Sequence, residues 1–355
     1  MGVPDEYRLS VSWNGLPQYA ARLIKAAIDR WGGPVDVIGS RPTVPIEGME
    51  EVLGQTIHWV DENQPTSWAA LGLAVPDIFV QSGWGYKAFN ALGREVKARG
   101  GAVIGFSDAN WRSDMRQGVV GFLAFRFLYR RYFDAMVVPG AQGKRLMRYF
   151  GMREDRVREG LYGADPALFS GGPALTARPR TFLYVGQFVP RKDVVGLAKA
   201  FIEFSREREG WTLVMRGDGP QRGEIPQHPA IRVEDFAQPA ELADIFRQAR
   251  FFILPSLVEA WGLVVHEAAA SGCALLLSDA IGSGDDLARP DNAIRFAAGN
   301  HRDLVRALHE AADKDDAWLD AAEARSRALA ERFGPERLAD ELESLIAQVR
   351  PVRAP

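Results

Sequence analysis

A single cysteine, Cys273, excludes any disulfide framework within the 355 residues and reads as a small core residue on a strand. Histidine is also sparse. His58, His228, His266, His301 and His309 are scattered, with no HxH or HxxxH spacing, so no histidine metal cage is expected. No apolar run approaches the roughly 18 residues of a membrane span, and the opening MGVPDEYRL lacks a signal-peptide pattern. These absences lead to the expectation of a reduced cytoplasmic setting, with any membrane contact peripheral, on the inner face. A net charge of −3 gives no global attraction to nucleic acid. No repeat of fixed period appears. What the chain does have is apolar mass: at 47% hydrophobic it can bury two cores of ordinary size.

Strand and helix patterns alternate along the chain. Strands are expected at Tyr7–Trp13, Val35–Gly39, Thr56–Val60, Pro76–Gln81, Ala102–Phe106 and Ala135–Pro139, with helices at Tyr19–Arg30, Tyr86–Arg99, Phe122–Phe133 and Gln142–Phe150. The Gly-, Pro- and Ser-rich stretch 170–180, SGGPALTARPR, reads as a linker between domains at 1–169 and 181–335. A second strand–helix series follows it, closing with helices at Ala317–Arg332 and Glu336–Val349. Such alternation predicts two mostly parallel sheets with helices on both faces, an α/β chain.

The most informative stretch is Phe251–Asp279, FFILPSLVEAWGLVVHEAAASGCALLLSD. FFIL suits a strand buried on both faces of a parallel sheet. Leu263–Ala270 reads as a helix stopped by Ser271-Gly272, and Ala274–Leu277 as the next buried strand. The helix start offers free amides at Gly262, Leu263 and Val264 with the positive dipole end behind them, a seat for phosphate. Glu259 and Glu267 flank that seat with seven residues between them. Carboxylates beside an anion make sense as acceptors for hydroxyl groups on either side, a ribose and a sugar ring. An anion between two polyols describes a nucleotide-sugar.

With this unit and the two-sheet layout, the sequence resembles the retaining GT-B glycosyltransferases of family 4, the group 1 glycosyl transferases. The segments that carry the resemblance are ILPSLVEAWGLVVHEAAASG, Gly160–Phe169 (GLYGADPALF), Val185–Asp193 (VGQFVPRKD), Met215–Pro220 (MRGDGP) and Ser278–Leu287 (SDAIGSGDDL). The resemblance implies two Rossmann-like domains facing across a cleft, the donor in the C-terminal one and the acceptor in the N-terminal one. It also implies that the last segment, 336–355, packs back on the N-terminal domain. The implied reaction moves a sugar from a UDP- or GDP-sugar to a glycan, lipid-linked or small-molecule acceptor, as in polysaccharide biosynthesis. Anomeric configuration is retained, and no metal or cofactor is used beyond the nucleotide-sugar co-substrate.

On that resemblance Arg191 and Lys192 face the leaving diphosphate, where charge accumulates as the glycosidic bond breaks. Gln187 stands where many members have arginine, which shifts the task to those two cations. Glu259 contacts the donor sugar or its phosphate side, and Glu267 the ribose. Gly186, Gln187, Gly217, Asp218 and Phe236 line the donor pocket. The glycines of MRGDGPQRG do not open an apolar helix, so a dinucleotide fingerprint is disfavoured. The IGSGDDL loop offers amides to donor sugar or phosphates, while Asp285 and Asp286 read as capping or solvated rather than as metal ligands. In the N-terminal half, Gly15 replaces the usual glycine pair, and Ser107-Asp108 stands near the histidine of many relatives. Asp108 is a candidate sugar or acceptor contact, or else an N-cap. Asn110, Trp111 and Arg112 complete that wall.

Two rival readings share the donor pocket: a nucleotide-sugar epimerase and a non-catalytic nucleotide-sugar binding module. The stretch 122–148 interleaves Arg126, Arg130, Arg131, Lys144, Arg145 and Arg148 with aromatic residues. It reads either as a dock for an anionic membrane or as a core-packed helix with a basic outer face.

Overall fold

The structure, a computed structural model, describes residues 7–41, 48–111 and 115–349. It divides into two compact units, Met1–Gly163 with Gly334–Pro355, and Ala164–Phe333.

The first unit holds β1 (Leu9–Trp13), β2 (Val35–Gly39), β3 (Ile57–Trp59), β4 (Ile78–Ser82), β5 (Ala102–Phe106), β6 (Ala135–Val138) and β7 (Val157–Glu159), in the order β3-β2-β1-β4-β5-β6-β7. Every pairing is parallel. β1, β5 and β6 are buried throughout, as expected where helices cover both faces. The helix Gln18–Trp31 buries Ala20, Leu23, Ile24 and Ala27 on one side. Against it lies the last helix, Pro335–Val349, through Leu338, Ala339, Leu342, Leu345 and Ile346. Arg30 fastens the pair from outside, bonding Glu336 at 2.9 Å and also meeting Asp340.

The second unit holds β8 (Thr181–Val185), β9 (Thr212–Arg216), β10 (Ile231–Glu234), β11 (Phe251–Leu254), β12 (Ala274–Ser278) and β13 (Ala293–Phe296), in the order β10-β9-β8-β11-β12-β13, again all parallel. The apolar runs TFLYV, FFIL and ALLL place Phe182 against Trp211 at 4.7 Å and Phe251 at 5.4 Å between ring centres. In both sheets the strand order reverses at the first strand, between β1 and β4 and between β8 and β11. Such a reversal leaves a crevice at the carboxyl strand ends where open α/β sheets bind ligands.

Three expectations change. The stretch 170–180 is not a linker but part of the second unit. Arg178, 1% exposed, donates to the carbonyls of Pro173, Ala249 and Ser271 at 3.1, 2.9 and 2.8 Å, so the segment is pinned to helix ends remote in sequence. The unit boundaries lie instead at Gly163/Ala164 and Phe333/Gly334. The helix expected at Phe122–Phe133 begins earlier and winds with π turns at Arg116–Gly121 and Phe125–Tyr129. Short elements at Met49–Leu53, β7 and β13 carry too little periodicity to be read from sequence.

Candidate functional site

At the β8/β11 switch point, two loops interlock with a third. After β8, Phe188 donates its amide to Asp218 O at 2.8 Å and accepts from Gln221 N at 3.0 Å, which zips residues 186–188 to the 217–221 turn. Gly217 (φ 149°) permits this: a Cβ there would sit 1.9 Å from Gly186 O. Gln187 and Phe236 stand exposed at the rim. The loop then forms one turn, Pro190–Lys192, and passes through Asp193. Asp193 has φ 51°, the one positive φ of a non-glycine among the described residues, and such strain clusters at functional sites. Leu257 N donates to Arg191 O at 2.8 Å, stitching the β8 and β11 loops together.

This stitching brings three of the proposed residues into one cluster. Lys192 is buried, and its ammonium bonds the Glu259 carboxylate, itself only 13% exposed. Arg191 Nη1 reaches the same Glu259 oxygen at 3.6 Å while half its side chain faces solvent. Two cations on one carboxylate leave one uncompensated positive charge, and the more exposed of the two is free to turn toward an anion. The Tyr184 hydroxyl, donating to Gln187 O at 2.9 Å, is raised by burial and further by the Glu259 charge.

Gly262 caps the following helix in the left-handed region (φ 85°), and a Cβ there would come within 3.1 Å of Glu259 Cγ. The amides of Gly262, Leu263 and Val264 take no hydrogen bond among the described residues, and Val265 N turns back to Gly262 O. The Glu267 carboxylate, largely buried, takes neither hydrogen bond nor ion pair among the described residues. Burial pushes its carboxyl up to about 7.

The 278–287 loop departs from expectation. Its amides are spent internally: Gly282 N on Glu259 O, Ser283 N on Trp261 O and Gly284 N on Ile281 O, at 3.2, 3.0 and 3.1 Å. The loop therefore buttresses residues 259–261 rather than offering those groups to a ligand. Asp286 belongs to the same brace, accepting from Trp261 Nε1 at 3.1 Å, while Asp285 lies 3.6 Å from Arg295. No trio of His, Cys, Asp or Glu is grouped to hold a metal among the described residues. Trp261 and Asp286, which position the Glu259 loop, carry no local sequence signal, since they meet across 25 residues.

His266, the neighbour of Glu267, is a second brace. Its Nδ1 accepts from Ala164 N at 2.8 Å, so Nε2 carries the proton and donates to Ala330 O at 2.8 Å. Burial lowers its pKa to about 4 from the ordinary 6.5. The unfolded chain thus binds the proton first. The stability contributed is complete above about pH 6.5 and is lost as pH falls through 4. His266→Gln is expected to flatten the stability loss between pH 6.5 and 4.5 relative to the parent, by about 2–3 kcal/mol over the window. Urea unfolding at both pH values measures this; parallel curves for parent and variant would contradict it.

In the first unit, an aromatic cluster underlies the β1/β4 switch point, with Trp13 and Phe106 buried in the core and Tyr19 and Tyr162 partly exposed against them. Trp13 lies 6.2 Å from Tyr19, 5.5 Å from Phe106 and 6.4 Å from Tyr162 between ring centres. Asp108 is exposed beside them, and its charge adds to burial in raising the Tyr86 and Tyr162 phenols. Ser107, not Asp108, accepts from the next turn, at Ala109 N. The Gly15 amide is spent on Ser40 Oγ at 2.8 Å, so it offers nothing to an acceptor phosphate. Asn110 is buried, with no partner for its Oδ1 among the described residues, and Trp111 packs on Tyr149 at 5.0 Å beneath the Arg145 guanidinium. Trp111 thus leans toward the 141–149 helix, Asn110 accepts from Gln117 Nε2 at its carbonyl at 2.6 Å, and Arg112 lies outside the described residues. Trp13, Tyr19, Tyr86 and Tyr162 were not singled out in the sequence, because three separate segments supply them.

Two Rossmann-type parallel sheets, each with a built switch point, make this a GT-B fold. Over residues 179–314, within the second unit, the chain matches the family model "Glycosyl transferases group 1". A glycogen synthase of Mycobacterium tuberculosis is 31% identical over 172 residues, covering 45% of this chain and 41% of that protein; the match thus spans about two fifths of the curated relative's length. Among solved structures, a glycosyltransferase from Rickettsia africae superposes with a TM-score of 0.76 at 10% identity, covering 98% of this chain and 99% of that one. The Anabaena protein HepE, in complex with UDP and glucose, superposes with a TM-score of 0.71 at 13% identity, covering 97% and 100%.

Proposed function

We propose that this chain is a glycosyltransferase that takes a sugar from a UDP- or GDP-sugar bound by the second unit and passes it, with retention of configuration, to a glycan, lipid-linked or small-molecule acceptor bound by the first. The observation that carries the reading is the Arg191–Lys192–Glu259 cluster at the β8/β11 switch point, beside the unspent amides of residues 262–264. Cations and amides stabilise the diphosphate as the bond to the sugar breaks. Glu259, held in place by both cations, accepts hydroxyl hydrogens on the sugar side, and Glu267 accepts from the ribose. The UDP and glucose of the Anabaena neighbour favour a uridine donor. Asp108 and the partly exposed rings of Tyr19 and Tyr162 face the acceptor, since ring faces suit the apolar side of a sugar. No metal is required, because fixed protein charges take that part.

The test is incubation with UDP-glucose, UDP-galactose or GDP-mannose and a panel of glycan and lipid-linked acceptors, with and without EDTA. The expected result is acceptor-dependent release of nucleoside diphosphate, unaffected by EDTA, and a product whose anomeric proton coupling matches the donor. Conversion of the donor to another nucleotide-sugar without acceptor would mark an epimerase instead, and tight donor binding without turnover a binding module. Loss of activity in EDTA would overturn the metal-independent mechanism.

A further inference from the structure

The helical stretch 115–129 of the first unit has two unlike faces. Inward, Phe125 is buried against Phe150, Trp84 and Phe133, with ring centres 5.2, 5.3 and 6.5 Å away. Outward stand Met115, Val119, Leu123 and Phe127, flanked by Val120 and Leu128. All six are exposed, Met115 at 85% and Phe127 at 79%. The outward row recurs every fourth residue, which a π-wound helix keeps on one side; the bond from Arg130 N to Phe125 O is of that wide type. An apolar row this continuous is unusual on a free surface.

Its charge surroundings are one-sided. No Asp or Glu occurs between Met115 and Phe133, while Arg126, Arg130 and Arg131 stand exposed along the row. The cations of the neighbouring helix Ala141–Tyr149 are engaged elsewhere. Lys144 reaches Glu159 at 4.0 Å, Arg148 reaches Glu154 at 3.6 Å, and Arg145 lies over the Trp111 ring at 4.7 Å. The basic apolar face is therefore 115–131, not the whole of 122–148.

We infer that this face docks the chain on an anionic lipid bilayer, lying in the interface with Met115, Leu123 and Phe127 in the acyl boundary and Arg126, Arg130 and Arg131 among the headgroups. An interfacial helix needs this pairing of apolar anchors with cations. A second copy of the chain fits worse, because a two-fold contact through the row brings the three arginines toward their own counterparts. No helix among the described residues is long and apolar enough to cross a membrane, so the attachment is peripheral. The inference does not depend on the sugar-transfer reading.

The experiment is co-sedimentation of the full chain with vesicles of phosphatidylcholine and phosphatidylglycerol in equal parts, against phosphatidylcholine alone. Binding is expected to the anionic vesicles only and to weaken as salt rises. Each arginine near an anionic surface is worth about fivefold in partitioning, so the Arg126→Gln/Arg130→Gln/Arg131→Gln variant should bind on the order of 100-fold more weakly. Leu123→Glu/Phe127→Glu should abolish binding with circular dichroism and melting unchanged, since both side chains face solvent. Absence of binding to anionic vesicles, or equal binding to neutral ones, overturns the inference. So does a concentration-dependent dimer that Leu123→Glu/Phe127→Glu dissolves while vesicles are ignored.

Discussion

Replacing Lys192 by methionine is expected to lower the rate of sugar transfer by about 10²–10³-fold, the loss found when one fixed stabilising group is removed from a developing negative charge. The same substitution strips Glu259 of its nearest partner in a place where neither side chain is more than 13% exposed. Breaking a buried pair in this way costs about 3–5 kcal/mol, and Arg191, 3.6 Å away, holds the cost toward the lower end. The two effects separate in a double variant. Lys192→Met with Glu259→Gln removes both charges and should recover most of the lost stability, while transfer stays as slow as in the single variant or slower. Comparing kcat and denaturant midpoints for parent, both singles and the double makes the distinction. Recovery of activity together with stability would show Lys192 to be a structural partner of Glu259 and nothing more. Arg191→Gln, at a half-exposed site, should leave stability nearly unchanged and lower kcat by less than the lysine variant does.

Glu267→Gln should move stability and ligand binding in opposite directions. Burial holds the carboxyl near 7 in the folded chain, against an ordinary value of 4.5. Folding therefore favours the protonated form: this contribution is complete below about pH 4.5 and is lost as pH rises through 7. At pH 8 the parent carries the full burden of a buried, unpartnered carboxylate, and glutamine should relieve about 2–3 kcal/mol of it. The donor site loses by the same change. A ribose hydroxyl donating to a carboxylate forms a charge-assisted hydrogen bond, and its weakening should lower UDP or GDP affinity by roughly 10–100-fold. Because that bond favours the ionised form, nucleotide binding to the parent near pH 6.5 should expel a proton, visible as a buffer-dependent heat in titration calorimetry and absent in the variant. Unchanged nucleotide affinity would remove Glu267 from the site. A gain in stability with a loss of binding is what a functional position held against its folding preference produces.

The pH slopes of the two neighbours on this helix oppose each other. His266 makes the chain more stable as pH rises from 4 to 6.5, and Glu267 makes it less stable over much of the same range. Their local sequence gives no hint of this. The sequence marks Glu267 as a ribose contact and gives His266 no role; the fold closes Ala164 and Ala330 over the histidine, while the Glu267 carboxylate has no hydrogen-bond partner among the described residues.

Apolar runs such as FFIL and ALLL, the glycine and serine stops between them, and the strand–helix alternation determine two parallel sheets, because they act through contacts a few residues apart. The helix Leu263–Ala270 was legible to the residue for that reason. Glu259 could be nominated from type and position, since loops after buried strands land at the carboxyl edge of the sheet, and Arg191 and Lys192 through the resemblance carried by VGQFVPRKD. What only the tertiary structure decided is the partner of each polar group: which amides of 278–287 are already spent, that Arg178 anchors 170–180 instead of leaving a linker, and which cations of 126–148 have no ion-pair partner among the described residues. Those partners come from segments tens of residues away, and a hydrogen bond or ion pair made across that distance depends on how the sheets close, which no local pattern in the chain records.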